Sequence, residues 1–261
     1  DLDICSYTLA GVVDDRGWGY ADDTFRCLDG LATYGRPAWF GLGDRDLATH
    51  LHRTMRLAEG AALHEVTAEI CSCLGVTARL LPMCNEDIRT EITTDEGLLT
   101  FQEYLIRDGA RADITGIRFA GLETSRPVPG ALDAIAAADT IVIAPSSPVV
   151  SIGSILGVPG VRDAVAARRD RCIAVSPIIG GRPVEGPAHK FLAGAGYDDC
   201  SARQMAEIYA DVAATFVLDT RDADEASAIA ELGVTPVTRD VLLPDRASRA
   251  RLADEALDVL A

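Results

Sequence analysis

Beyond residue 140 the chain alternates short apolar runs with amphipathic stretches, and this alternation constrains the fold more than any other feature. Segments 140–144, 172–175, 216–218 and 234–237 are predicted strands. Segments 159–169, 188–195, 201–212, 223–232 and 246–260 have helical periodicity, with Gly233 closing one of them. Strands joined through helices pair in parallel, and the helices cover the sheet on both faces. The apolar run 141–144 reads as a fully buried strand of that sheet.

The first half is less regular. A long helix is predicted over 46–59, stopped by Gly60. A second places Leu63, Val66, Thr67, Ile70, Cys71 and Leu74 on one face and ends at Gly75. Segments 80–81, 89–93, 98–104 and 114–119 are predicted strands of a small antiparallel patch. The whole of 1–261 is read as one α/β domain, with 46–125 as an inserted helical and antiparallel subdomain. A doubly wound sheet usually begins with a strand, a tight loop and a helix, within a unit of roughly 30 residues or more. This chain opens on the polar "DLD" without such a unit, and the expectation is an N-terminal βα unit that is lost or lies outside residues 1–261.

The net charge of -16 repels phosphate backbones and argues against a nucleic-acid partner. No apolar run approaches the ~18 residues of a membrane span. The Cys count of 7 is odd, the residues are scattered, and no secretory leader precedes them. Reduced thiols and a cytoplasmic location are expected. Cys71 and Cys73, with Cys84 and His64 near in sequence, raise the question of zinc. An i,i+2 pair on a helix points two ways, however, and buried thiols are the preferred reading.

In open parallel sheets ligands bind beyond the carboxyl ends of the strands. Ser146 and Ser147 follow one predicted strand, and Ser151 and Gly153 then start a helical turn whose N–H groups can hold anions. Ser176, Gly180, Gly181 and Arg182 repeat the arrangement after the next strand. A shared phosphate site is one reading, and plain turns are the other. In the first half, Asp1 and Asp3 are hard oxygen ligands suited to Mg²⁺, but acids complementing a helix dipole are the preferred reading of the residues alone. Gly43 to Asp46 forms a polar turn in which Asp44 or Asp46 caps the next helix. Asp46, Thr49, His50 and Arg53 share one helical face, ordinarily a solvated one. The lead-in of Trp39, Phe40 and Gly41, with Trp18, Tyr20, Asp23 and Thr24 elsewhere, suits a flat ring system or core packing.

Seven stretches, "DLDICSYTLAG", "RGWGYADDTF", "WFGLGDRDLATHLHRT", "ARLLPMCNEDIRTEI", "FQEYLIRDG", "APSSPVVSIGSILGVPGVR" and "VSPIIGGRPVEGPA", together resemble the 2-phospho-L-lactate transferase family of coenzyme F-420 biosynthesis, whose actinobacterial members are phosphoenolpyruvate transferases. They run in family order over most of the chain. The resemblance implies a three-layer Rossmann-like core and a usual homodimer. It also implies Mg²⁺-dependent transfer of a lactyl or enolpyruvyl phosphate from a guanosine-diphosphate-linked donor to the ribityl hydroxyl of the deazaflavin Fo, with release of GMP. Asp3 is implied as metal ligand and, with Asp1, as the catalytic carboxylate. The deazaflavin is implied to lie at Asp3, Trp18, Asp23, Thr24, Gly43, Asp44, Arg45, Asp46 and His50. The donor is implied to lie at Ser146, Ser147, Pro148, Ser151, Gly153, Ser176 and Gly180.

Ser147 stands where the family usually has Asn, and Ser154 where it usually has Pro. The "WFGLGDRD" form favours the enolpyruvyl donor. A nucleotide-sugar-binding regulator of the same fold, without turnover, is the alternative; "DLD" and "GDRDLATH" argue against it.

Overall fold

The computed structural model describes residues 2–14, 17–36, 39–184 and 186–259, so Asp1 lies outside the described residues. The chain divides into two compact units, one of Asp1–Asp87 with Gln102–Gly109 and one of Ile88–Phe101 with Ala110–Ala261.

The smaller unit is helical: α1 (Leu2–Ala10), α2 (Arg26–Thr33), α3 (Asp44–Ala58), α4 (Leu63–Cys73) and a wide helical turn at Glu103–Arg107. Asp44 and Asp46 lie in the first turn of α3, where acids complement the dipole, and the chain leaves this helix through Gly60 at φ +96°. At the start of α4 the Glu65 carboxylate accepts the Ala62 N–H at 2.8 Å. The predicted face of α4 is the buried one, through Val66, Thr67, Ile70 and Cys71. Arg56 of α3 donates to both oxygens of Glu69 on α4, at 2.9 and 2.8 Å.

One expected strand is absent and another is shorter than expected. Residues 80–81 are irregular, and Pro82 follows them without a backbone donor for a ladder. The strand expected over 98–104 ends at Thr100. Phe101, Tyr104 and Leu105 recur at helical rather than strand period, and the turn they form buries Tyr104 completely.

The larger unit begins with an antiparallel sheet of β1 (Arg89–Thr94), β2 (Gly97–Thr100) and β3 (Ile114–Ala120), in the order β2-β1-β3. After α5 (Ala131–Ala137) come β4 (Ile141–Ile143), α6 (Ile152–Leu156), α7 (Val161–Ala166) and β5 (Cys172–Val175). A two-residue hairpin, β6 (Ile178–Ile179) and β7 (Arg182–Pro183), precedes α8 (Ala188–Gly194) and α9 (Ala202–Tyr209). The chain closes with β8 (Thr215–Asp219), α10 (Ala226–Ala230), β9 (Thr235–Arg239) and α11 (Arg246–Asp258). Ser201 caps α9 by accepting the Gln204 N–H at 3.1 Å, and Asp245 caps α11 by accepting the Ser248 N–H at 2.8 Å.

The expected parallel sheet is present, in the order β4-β5-β8-β9. Every residue of β5 and β8 is buried. Ile173, Val175 and Val217 share one face and pack with Leu252 of α11. The alternate residues Cys172, Ala174, Phe216 and Leu218 point the other way and are also buried, so both faces of these central strands are covered. The reading of β4 as fully buried needs correction. It is the first strand in the described order, and Val142 is 45% exposed, because only β5 pairs with it among the described residues.

Phe216 is fully buried at the centre of the sheet. Phe216→Ala is expected to cost about 3–5 kcal/mol, read as a lower urea midpoint at unchanged slope. A loss below about 1 kcal/mol would show that the core lies elsewhere.

Candidate active site

In the helical unit the first turn of α1 points Asp3 at α3. Arg53 donates to both Asp3 oxygens, one through Nη1 at 3.1 Å and the other through Nη2, and His50 Nε2 lies 3.4 Å from Asp3 Oδ2. The α3 face expected to be solvated is therefore half-buried against α1: the side chains of Asp3 and Arg53 are only 24% and 19% exposed. Burial alone would raise the Asp3 carboxyl. The hydrogen bonds and charges of His50 and Arg53 outweigh it and bring the pKa from 3.8 down to about 2. One turn on, Tyr7 is completely buried and packs on Tyr20 with ring centroids 4.3 Å apart. Its hydroxyl makes no hydrogen bond, although Thr49 and Asp46 lie near. Burial, with the charges of Asp23 and Asp3, raises the Asp46 carboxyl above its usual value.

Asp23 and Asp44 form a reciprocal clasp. Asp23 accepts the Arg45 N–H at 3.1 and 3.2 Å at the start of α3, while Asp44 accepts the N–H groups of Cys27 at 3.0 Å and Arg26 at 3.2 Å at the start of α2. Thr24 adds a short hydroxyl bond to Asp44 and accepts the Asp44 N–H through its carbonyl at 2.7 Å. The expectation that Asp44 or Asp46 caps α3 is thus corrected: Gly43 is the N-cap, Asp23 supplies the carboxylate, and Asp44 caps α2 instead. A side chain at Gly43 would collide with Asp23, its Cβ lying 2.1 Å from Oδ2, so the clasp requires glycine there. Arg45 then donates to the Ala21 carbonyl at 3.2 Å and sits over the Tyr20 ring at 5.9 Å. Tyr20, Arg45, Thr49, Ile70 and Leu74 line a cavity of about 360 Å³ with Ala48, His52 and Cys73. Trp18 is half-exposed.

In the larger unit the loops after β4 and β5 meet at the carboxyl edge of the sheet. Pro145, Ser146, Ser147, Ser176 and Pro177 line one cavity of about 590 Å³ together with Pro183, Val184, Ala188, the run 241–244 and Arg249. Among the described residues no carboxylate lines it, and Arg249 is the one cationic residue there. In a chain with 40 acidic and 24 basic residues this is a marked local inversion of charge. Of the expected donor residues, Ser146, Ser147 and Ser176 come together here; Pro148, Ser151, Gly153 and Gly180 are not among the lining residues.

The expectation of free N–H groups at the start of α6 is not met in full. Ser147 accepts the N–H groups of Ser151 at 3.3 Å and Ile152 at 2.9 Å through its carbonyl, and that of Val150 at 3.3 Å through its hydroxyl. Gly153 is needed because a Cβ there would lie 2.7 Å from the Pro148 carbonyl oxygen. Ser154 is accommodated by donating to the Ser151 carbonyl at 2.8 Å. Ser176 is buried, donating to and accepting from Ile178 at 3.1 Å.

Sequence reasoning passed over two carboxylates at the end of β8. Asp219, fully buried, accepts from the Arg221 N–H at 2.9 Å, the Arg221 Nε at 2.7 Å and the Val241 N–H at 3.2 Å. Burial opposes its charge, but these bonds and the guanidinium hold its carboxyl below the usual value. Asp222 accepts the N–H groups of Gly180 and Gly181, each at 2.8 Å. The signal was present: acids directly after an apolar strand stand at the ligand-binding edge of a parallel sheet. The helix start read at the "DLD" acids is present as α1, but Tyr7 on it was not singled out.

The magnesium expected at Asp3 fits this chain incompletely. Among the described residues no group of three His, Cys, Asp or Glu side chains could hold an ion, and both Asp3 oxygens already accept from Arg53. Of the residues that raised the question of zinc, Cys71 and Cys84 are buried, Cys73 is exposed, and the His64 ring pairs with Asn85.

A parallel α/β sheet with a cavity at the carboxyl ends of its strands belongs to the class of α/β folds that bind ligands at that edge. Comparison with known proteins narrows that class. The family model described as 2-phospho-L-lactate transferase CofD matches residues 1–255. The phosphoenolpyruvate transferase of Kitasatospora aureofaciens is 41% identical, across 98% of this chain and 82% of its own length. That of Thermobifida fusca is 41% identical across 99% of this chain and 80% of its own. Two crystal structures of protein BH3568 from Bacillus halodurans, one described as a upf0052 family member, share the fold at TM-scores of 0.56 and 0.58 and 17% and 18% identity. They cover 98% and 96% of this chain, and 96% and 82% of their own. The chain belongs to the 2-phospho-L-lactate transferase CofD family, and is a transferase of coenzyme F-420 biosynthesis.

The Asp3 carboxyl is held down in the fold, so it stabilises the protein in its charged form. That contribution is full above pH 3.8 and is lost as pH falls towards about 2. It is expected to amount to about 2 kcal/mol, measured by urea unfolding at pH values across that window. Asp3→Asn is expected to flatten this part of the pH profile; an unchanged profile would contradict the pairing with Arg53.

Proposed function

We propose that this chain transfers an enolpyruvyl phosphate from a guanosine-diphosphate-linked donor to the terminal ribityl hydroxyl of Fo, releasing GMP. The observation that carries the enolpyruvyl assignment is the near-full-length similarity to the phosphoenolpyruvate transferases, 41% identity over 98% of this chain in one case. The lactyl donor of the family description is the competing substrate.

In this reading the donor occupies the cavity at the carboxyl edge of the parallel sheet. The Ser146 and Ser147 loop, Arg249 and a wall with no carboxylate among the described residues suit a diphosphate better than the surrounding acidic surface does. The deazaflavin belongs to the helical unit, where Tyr20, Ile70 and Leu74 offer apolar surface to a flat ring and Arg45 is held beside them by the Asp23–Asp44 clasp.

Phosphoryl transfer needs positioning and charge neutralisation more than covalent help from the protein. The hydroxyl oxygen bonds to the phosphorus that carries the three-carbon acid, the bond from that phosphorus to the GMP oxygen breaks, and the hydroxyl proton is released. A carboxylate with a pKa of about 2 accepts a proton poorly at neutral pH, so Asp3 serves by orienting the acceptor through its fixed pairing with Arg53 and His50. Magnesium, when bound, would supply charge neutralisation on the diphosphate. The three-layer Rossmann-like description, the insertion over 46–125, the homodimer and the cytoplasmic location belong to the same proposal.

The test is the purified protein with Fo, Mg²⁺ and either donor, followed by GMP release. The enolpyruvyl donor is expected to react at least about tenfold faster, a difference of ~1.4 kcal/mol in activation free energy. Faster lactyl transfer would overturn the donor assignment. No GMP from either donor, together with saturable binding of a nucleotide-sugar, would replace the transferase by the regulator of the same fold.

A further inference from the structure

We propose that Asp222 is a positioning residue for the donor, acting through the Gly180–Gly181 turn. The inference rests on the reading that the donor occupies the sheet-edge cavity. Ile179 pairs with Arg182 and Ile178 with Pro183, so Gly180 and Gly181 are the two central residues of a tight hairpin. Their φ values of +60° and +69° are those of a turn that glycine adopts without strain. A free-standing two-residue hairpin of this length is marginal in water. Here Asp222 accepts both turn N–H groups at 2.8 Å, and at 3% exposure it does so out of water.

The geometry asks for a carboxylate. Two N–H donors need two acceptor oxygens, and asparagine would turn an NH₂ group towards one of them. Among the described residues Asp222 has no ion-pair partner, so these backbone dipoles balance its charge. The strand leaving the turn carries Pro183 and Val184 into the wall of the cavity, and the strand entering it starts from Ser176 and Pro177 on the same wall. Asp222 is thus not among the residues lining the donor cavity but fixes the hairpin that forms one side of it.

The experiment compares Asp222→Asn with the unmodified protein by calorimetric binding of GDP, by KM for donor and for Fo, and by amide exchange at Gly180 and Gly181. Exchange at both amides is expected to accelerate, and GDP affinity to fall by about tenfold, the scale of one charge-assisted hydrogen bond, with donor KM rising alike and KM for Fo unchanged. Gly181→Ala keeps Asp222 but strains the turn, since nothing occupies the space around its Cβ while φ is positive; the same selective loss is expected. Faster exchange with unaltered GDP affinity would overturn the inference, as would equal rises in both KM values. A protein that binds GDP selectively through this clamp yet releases no GMP would leave the inference standing and remove the transferase reading instead.

Discussion

Parallel pairing of β4, β5, β8 and β9 is the constraint from which the larger unit follows. Parallel neighbours cannot be joined by a tight turn, so each connection crosses a face of the sheet and carries a helix. The central strands are then buried on both faces, which is why β5 and β8 contain no exposed residue. The same rule sends every strand end of one polarity to one edge. Loops that are far apart in sequence, 145–148, 176–184 and 241–244, meet there because they follow β4, β5 and β9.

Carboxylates organise that edge and the helical unit alike. Asp219 and Asp222 hold backbone N–H groups of the 241 segment and the 180–181 turn. Asp23 and Asp44 exchange helix starts between two stretches of the first unit. Apart from the Arg221 guanidinium on Asp219 and the Thr24 hydroxyl on Asp44, these carboxylates accept from backbone N–H groups, and among the described residues no acid lines the cavity between these loops. Asp3 differs. Its partners are the side chains of Arg53 and His50, so it carries a fixed charge on an interface between helices that also holds the unpartnered Tyr7 hydroxyl.

The parallel sheet was legible because buried strands and amphipathic helices have different periods, and both were written strongly after residue 140. The meeting of Ser146, Ser147 and Ser176 was legible for the same topological reason. The first half was harder. "LDICSYTLA" has no clean apolar stripe, so its acids were read as a helix start while the buried Tyr7 on it went unseen. "TFQEYLIR" mixes β-favouring residues with a helical spacing, and the spacing won once Tyr104 could be buried. Asp44 was read as a cap for the helix it begins, whereas its carboxylate reaches the N-terminus of α2, 17 positions back at Cys27. Side-chain bonds over such separations have no local period to reveal them. The family resemblance supplied what periodicity could not, the chemistry, and the family match bears it out.

The central claim is that the donor diphosphate sits in the cavity at the carboxyl edge of β4 and β5. A crystal structure of the full chain with GDP bound tests it most directly. The account predicts phosphate oxygens against the Ser146–Ser147 loop, within the wall formed by Pro177, Pro183 and Arg249. Diphosphate density away from that edge, with the cavity filled only by solvent, would contradict it.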